Sequence, residues 1–345
     1  MDVGKGSDVR IFDYALATLI VFLIIIIAFQ SYQLSRLSNQ ISLLSNKVGQ
    51  INVGAVSSIS SNSTASQPVN KSFGSRLTNI DKPFNASYLS IINNAPDAYF
   101  ETAAERFLNG SLNDQVMLNT YNESPHAGPY ILNGKPTVIY IGAISCIFCG
   151  ENRWAMALAL SRFGNFSQLY EGYSSFGDDD VPTIYWANDN YTTSAGVGYG
   201  NSYSSKYINF LSADYLSPIV KGFEVQPLPY FVEQAPNQTY KKAMSFMNST
   251  NQFDGTPFTL WGNTIVQGAD AVVFGNSTPI SSVPLTYETH GQVLGQLKNF
   301  SDQFSWAEYA AADVYIAYTC PAINDTAPIC QLPAIKQMIS QMEGA

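Results

Sequence analysis

The sequence predicts a mixed α/β domain carried behind a single apolar span, and three observations lead there. A β-branched apolar run at 137–141 passes through Cys146-Ile147-Phe148-Cys149 into a helical pattern at 150–162. Strand-like and helical stretches then alternate toward the C-terminus. Near the N-terminus, residues 14–34 carry no charge, and Leu19 to Ile27 is continuously apolar.

The composition narrows the partners. Charged residues make up only 12% of the 345, hydrophobic ones 46%, and the formal net charge is −9. No extended Lys/Arg cluster exists to neutralise phosphates, which argues against nucleic acid. The uncharged polar surface this implies is filled by Tyr, Asn and Ser.

The apolar stretch is long enough to cross a membrane, since roughly 20 helical residues span a hydrocarbon core of about 30 Å. A cleaved signal peptide fits less well, because the preceding residues have mixed charge (Asp2, Lys5, Asp8, Arg10, Asp13) and no small-x-small site follows closely. Lys5 and Arg10 before the span match Arg36 and Lys47 after it, so positive charge leaves the orientation open. Next, Leu34, Leu37, Ile41, Leu44, Val48 and Ile51 step by three and four, an a/d heptad pattern of under three heptads. It reads either as a stalk forming a homo-oligomer through 34–51 or as a simple helical extension of the span. Residues 53–75 are rich in Ser, Asn and Gly and read as a linker. The expected organisation is therefore a cytoplasmic tail (1–13), a transmembrane helix (14–34), a coiled-coil stalk (35–52), a linker (53–75) and an extracytoplasmic domain (76–345).

The sidedness comes from N-x-S/T sequons, which occur at Asn62, Asn70, Asn85, Asn109, Asn122, Asn165, Asn190, Asn237, Asn248, Asn276, Asn299 and Asn324. Chance gives about four for this composition. All lie beyond the span. Compositional bias toward Asn and Ser is the plain alternative. N-glycosylation on the outer face of the cell membrane is the favoured reading, and an oxidising outer compartment also lets disulfides persist.

Within the domain, residues 96–108 read as a helix with Pro at its start, and 109–130 as a loop. Residues 137–141 suit a strand buried on both faces. The helix at 150–162 carries Trp154, Met156, Leu158 and Leu160 and is expected to close at Gly164. Residues 183–186 and 205–211 look like strands. The Gly/Ser/Tyr stretch between them lacks the Lys and helix start of a phosphate loop. Residues 237–247 read as a helix in an insertion. Residues 254–263 read as turn, strand and tight turn, with 271–274 as the returning strand, and 290–300 and 306–318 as C-terminal helices.

Cys146 and Cys149 fall where a strand hands over to a helix. A thiolate is the reactive form of cysteine, and a helix N-terminus stabilises it through free amides and partial positive charge. Cys146 would be the exposed nucleophile and Cys149 the shielded resolving residue. A structural disulfide and half of a zinc site remain alternatives. Zinc would need Cys320, Cys330, His126 or His290 as partners, and the ten-residue step from Cys320 to Cys330 lacks ribbon spacing. Cys320 and Cys330 read as a structural disulfide between C-terminal helices, with an electron relay to the first pair as the other reading. His126 and His290 read as surface or capping residues, and Asp178-Asp179-Asp180 as a solvated acidic loop. Trp154, Tyr185, Trp186 and Trp261 read as core. No metal or cofactor site is expected.

On these residues the chain resembles the thioredoxin-like superfamily. The matched features are the strand–C-x-x-C–helix at 137–162, Gly255-Thr256-Pro257 before a strand, and the hairpin and helix that follow. The resemblance implies that Pro257 is a cis-proline packing on the cysteine pair and that the Thr256 backbone pairs with substrate. It also implies a helical or loop insertion between Cys149 and Pro257. The chain is further similar, over most of 135–260, to the archaeal membrane family domain of unknown function 929. It departs from many thioredoxin-like relatives in having Ser145 where an aromatic often precedes the first cysteine, and Ile147 and Phe148, which supply neither charge nor hydrogen bond, between the cysteines, so a less strongly oxidising centre than a Pro-His pair would give is expected. The resulting expectation is a membrane-anchored thiol–disulfide oxidoreductase acting on cysteines of exported proteins. The alternatives are an electron carrier for a membrane redox partner and a glycosylated surface protein with an inactive scaffold.

Overall fold

The computed structural model describes residues 82–343, apart from 110–115, 119–122, 126–127, 145, 175–180, 188–196, 216–226, 254, 268–271, 275–284, 286–287 and 301–302. All of them belong to the second of two compact units, Asn70–Ala345. The expected tail, span, stalk and linker lie outside the described residues. Among the described residues no helix is long and apolar enough to cross a membrane.

Two helices come first, α1 (Ala86–Asn93) and α2 (Asp97–Leu108). Asn85 caps α1 by accepting from the Tyr88 amide, and Pro96 precedes α2. Strands β1 (Val116–Leu118), β2 (Glu123–Pro125) and β3 (Ile131–Leu132) lead to β4 (Lys135–Ala143), which runs into helix α3 (Ile147–Ser161). Then come β5 (Gly164–Phe166), β6 (Tyr170–Ser174), β7 (Val181–Tyr185), β8 (Val197–Tyr199), β9 (Tyr203–Ser205) and β10 (Asn209–Tyr215). Helices α4 (Leu228–Glu233) and α5 (Gln238–Ser249) precede β11 (Phe258–Trp261), β12 (Thr264–Gln267) and β13 (Val272–Phe274). Helices α6 (His290–Asn299), α7 (Gln303–Thr319) and α8 (Pro333–Glu343) complete a mixed α/β fold. Two 3-10 turns, Pro321–Ile323 and Pro328–Gln331, join α7 to α8.

The main sheet runs β2-β12-β11-β4-β10-β8, with β3 paired to the start of β4. β4 pairs in parallel with β10 from Thr137–Asn209 to Ala143–Tyr215, and antiparallel with β11. A parallel neighbour requires a crossover, and α3 lies within it. β4 is buried on both faces because its side chains alternate between two cores. Val138 and Tyr140 join the layer built from α1, α2, α3, α6, α7 and α8. Ile139 and Ile141 join a smaller layer that includes Leu228 and Phe231 of α4 and Ala243, Met244 and Met247 of α5.

Several local expectations are corrected. The segment read as a loop at 109–130 contains β1 and β2, which are too short to show a period and exist through pairing with β13 and β12. The strand expected at 205–211 is broken between β9 and β10. Ser205 Oγ accepts from the amides of Tyr207 and Ile208, a side-chain turn that competes with the ladder. Gly164 does not close α3 but begins β5, where a Cβ would lie 2.2 Å from the Ser204 carbonyl of the paired strand. The strand returning from β11 is β12, not 271–274, because Gly262 (φ 56°) and Asn263 make the turn at once. The equivalent signal before β4, Asn133-Gly134 with φ of 51° and 77°, suits a tight hairpin turn. The helix α8 was not foreseen.

Candidate functional site: the cysteine pair at the start of helix α3

Cys146 is the N-cap of α3, with extended backbone, and its sulfur accepts from the Cys149 amide at 3.3 Å. It thus meets one of the donors that a helix leaves unpaired at its start. Its Sγ also lies 3.3 Å from the backbone oxygen of Thr256, to which the thiol donates. Cys146 is partly exposed and Cys149 is buried, and neither is in a disulfide. The pairing of Phe258 with Ile141 brings residues 256–257 to the carboxyl end of β4, beside the pair. The Thr256–Pro257 peptide is cis.

The two thiols differ in acidity. The hydrogen bond from the Cys149 side chain, aided by the Cys149 amide, Thr256 and the Arg153 charge, outweighs burial and lowers Cys146 to about 7. Burial, together with the Cys146 sulfur beside it, pushes Cys149 well above the usual thiol range. The Cys146 thiol thus ionises more readily than its neighbour, an asymmetry that suits ordered thiol–disulfide exchange.

Behind the pair lies a polar cluster that the sequence did not announce. Arg153 of α3 is fully buried. Its Nη2 donates to Asp214 Oδ1 at 2.6 Å and to the Ala143 carbonyl at 3.2 Å. Nη1 reaches Ser174 Oγ at 3.4 Å and Thr183 Oγ1 at 3.5 Å. The rings of Tyr140 and Tyr185 each lie 5.5 Å from the guanidinium carbon, and the Tyr140 hydroxyl donates to Asp214. The available signal was a lone Arg on a helix otherwise apolar from Trp154 to Leu160, together with a lone Asp in the apolar run of β10.

The other expected residues fall as follows. Cys320 and Cys330 are joined in a disulfide with Cα atoms 5.7 Å apart, and both are fully buried. Asp325 offers a carboxylate oxygen within 4.8 Å of both sulfurs, but the sulfurs are bonded to each other. His290 is not a surface residue. It is the first residue of α6, 3% exposed, with Nε2 at 2.9 Å from the Gly172 and Thr183 carbonyls. Burial lowers its pKa, and Thr289 before it provides the cap. Trp154, Tyr185, Trp186 and Trp261 are core residues. His126 and Asp178 to Asp180 lie outside the described residues. So do Asn62, Asn70, Asn122, Asn190 and Asn276. Asn85, Asn109, Asn165, Asn237, Asn248, Asn299 and Asn324 are all exposed.

No curated protein and no solved structure matches the chain. One family model does, described as Domain of unknown function (DUF929), over residues 126–320. The match contains the cysteine pair, Arg153, Asp214 and Thr256-Pro257, and covers more than half of the chain, which therefore belongs to the DUF929 family.

Proposed function

We propose that this protein is a thiol–disulfide oxidoreductase with a thioredoxin-like domain, anchored in the cell membrane and acting on cysteines of exported proteins. The observation that carries the reading is Cys146. It is a partly exposed residue at a helix start, whose thiol has a lowered pKa and lies 3.3 Å from the carbonyl oxygen that precedes a cis-proline. The strand, cysteine pair and helix, the Thr256-Pro257 loop, and the β11–β12 hairpin followed by helices support the thioredoxin-like assignment. The exposure of seven sequon asparagines supports an extracytoplasmic domain. The anchor at 14–34, self-association through 34–51 and a membrane redox partner are part of the proposal and rest on sequence alone.

In the exchange, the Cys146 thiolate attacks one sulfur of a client disulfide. A Cys146–client bond forms, and the other client sulfur leaves as thiolate. Cys149, once deprotonated, attacks Cys146. The intramolecular disulfide forms and the second client thiolate departs, so the client is reduced by two electrons and the pair oxidised. The reverse sequence oxidises a client dithiol.

The test is to express the full chain with Cys149→Ala and separate membrane extracts without reductant. Adducts that vanish on reduction and on further Cys146→Ser substitution are expected. A chain that traps no client, with Cys146 refractory to alkylation when folded, overturns the proposal.

A further inference from the structure

Neither residue between the cysteines is charged, yet a cation is built in one turn beyond Cys149. We propose that Arg153 is the positioning residue of the cysteine pair: its buried guanidinium, anchored by Asp214, grips the backbone on both sides of the C-x-x-C and holds a fixed positive charge behind the two sulfurs. This inference rests on the redox reading of the same site.

The grip is visible in the hydrogen bonds. The Ala143 carbonyl accepts both from Arg153 Nη2 and from the Cys146 amide, each at 3.2 Å. On the other side, Thr183 Oγ1 lies against Arg153 and donates to the Gly150 carbonyl at 2.6 Å. The segment 143–150 is therefore held at both ends by one guanidinium, directly and through one threonine. Gly150 has no room for a side chain, since a Cβ would lie 2.6 Å from Ser174 Oγ, the residue that also accepts from Arg153. Gly142 likewise clears space for the Tyr140 hydroxyl, which would lie 1.9 Å from a Cβ there. Two glycines thus make way for the shell that surrounds the cation.

Burying an arginine is unfavourable by several kcal/mol before its partners compensate. Among the described residues Arg153 Nε has no hydrogen-bond partner. The charge matters because exchange creates anions here. The Cys146 thiolate exists before attack, and Cys149 must shed its proton to resolve the mixed disulfide. Among the described residues, the ionisable groups that feel the guanidinium charge include Asp214, Tyr140, Tyr185, Cys149 and Cys146. Burial raises both tyrosines, so they stay neutral, and Asp214 is the anion that partly offsets the cation. Arg153 favours the ionised form of both cysteines.

The test follows iodoacetamide alkylation of Cys146 against pH in the reduced full-length chain. The double variant Arg153→Met/Asp214→Asn removes both charges together and leaves no buried ion unpaired. Its alkylation midpoint is expected to rise by about half a unit, roughly a threefold slower reaction at pH 6. Its mixed disulfides should also resolve more slowly. Arg153→Lys should retain the wild-type midpoint. Asp214→Asn alone removes the anion and keeps the cation, so its midpoint should move down. A folded double variant with an unchanged midpoint overturns the role of Arg153. If the double variant does not fold, an unshifted Asp214→Asn overturns it. If wild-type Cys146 itself does not exchange, the redox reading falls and takes this inference with it.

Discussion

Cys146 and Cys149 stand at the beginning of one helix, whereas Cys320 follows the last residue of another. Cys146 caps α3, where amides point outward and the helix end is partly positive. Cys320 follows Thr319 of α7, where carbonyls point outward and a thiolate is disfavoured, and its amide donates back to the Ile316 carbonyl. The first pair is free, with Cys146 a partly exposed residue; the second is bridged, with both cysteines fully buried. Cysteine spacing alone says little about this difference. Which end of a helix each thiol occupies, and whether water reaches it, decides which pair suits chemistry and which suits structure.

The comparison is easiest to break at Cys146. Cys146→Ser should abolish disulfide exchange with a dithiol or disulfide probe, a loss of at least about a thousandfold. Cys320→Ala/Cys330→Ala should leave exchange intact under conditions where the domain is folded. Activity that survives the first change, or disappears with the second while the fold persists, would reverse the roles assigned to the pairs.

The second pair should instead show itself in stability. Closing the short loop between Cys320 and Cys330 contributes about 2–3 kcal/mol by the chain-entropy relation. The double alanine variant should therefore have a lower denaturant midpoint. Gentle reduction of the native protein, followed by alkylation and mass measurement, should label Cys146 and leave Cys320 and Cys330 unlabelled.

A smaller effect sharpens the asymmetry inside the first pair. Alkylation of Cys146 should titrate with a midpoint near 7, and Cys149 should remain unlabelled until well above the usual thiol range. The lowered thiol also couples to folding. Its folded value of about 7 lies below the ordinary value of 9.0, so the stabilisation is fully present above 9.0 and fades as pH falls toward 7. The raised Cys149 works in the opposite sense once pH exceeds its unfolded value, because the folded state retains that proton. Reduced wild type should therefore gain stability relative to Cys146→Ser between about pH 7 and 9. Urea titrations at several pH values check this.

A further expected change is that of Phe148→His. An imidazole in the first turn of α3 would favour the Cys146 thiolate and lower the alkylation midpoint by up to about one unit. It should also make the pair more oxidising. A wild-type reduction potential already near that of the strongest periplasmic oxidants would contradict the less strongly oxidising centre expected from Ile147 and Phe148.

Some of this was readable beforehand for definite reasons. β4 is a long apolar run rich in β-branched residues and α3 is a long apolar stretch of good helix formers, so the strand, the helix and the cysteines between them could be read directly. Thr256-Pro257 stood out because proline constrains its own backbone and the residue before it. Tertiary placement was less accessible. β1 and β2 are three residues each and exist only through partners far along the chain. The side-chain turn at Ser205 looks like continuing strand in a list of β-formers. Arg153 carried no motif, and only its meeting with Asp214, 61 residues later, gives it a role. His290 read as a surface residue because nothing local places it between the Gly172 and Thr183 carbonyls. The buried carboxyl of Asp313, raised well above the usual range by burial and by Glu101, was equally invisible.

The position of α8 has a consequence for the order of events during synthesis. Ala334, Ile335, Met338 and Ile339 belong to the same core as Trp154 and Leu158 of α3, and the Ala334 amide donates to Glu101 of α2. The helical layer that backs the cysteine pair is thus unfinished until residue 339 has been made. At translation rates of about 5–20 residues per second, the stretch from Cys146 to Ile339 takes on the order of ten seconds or more to appear. For that interval the nascent chain carries Cys146 and Cys149 without the complete core that later packs behind them.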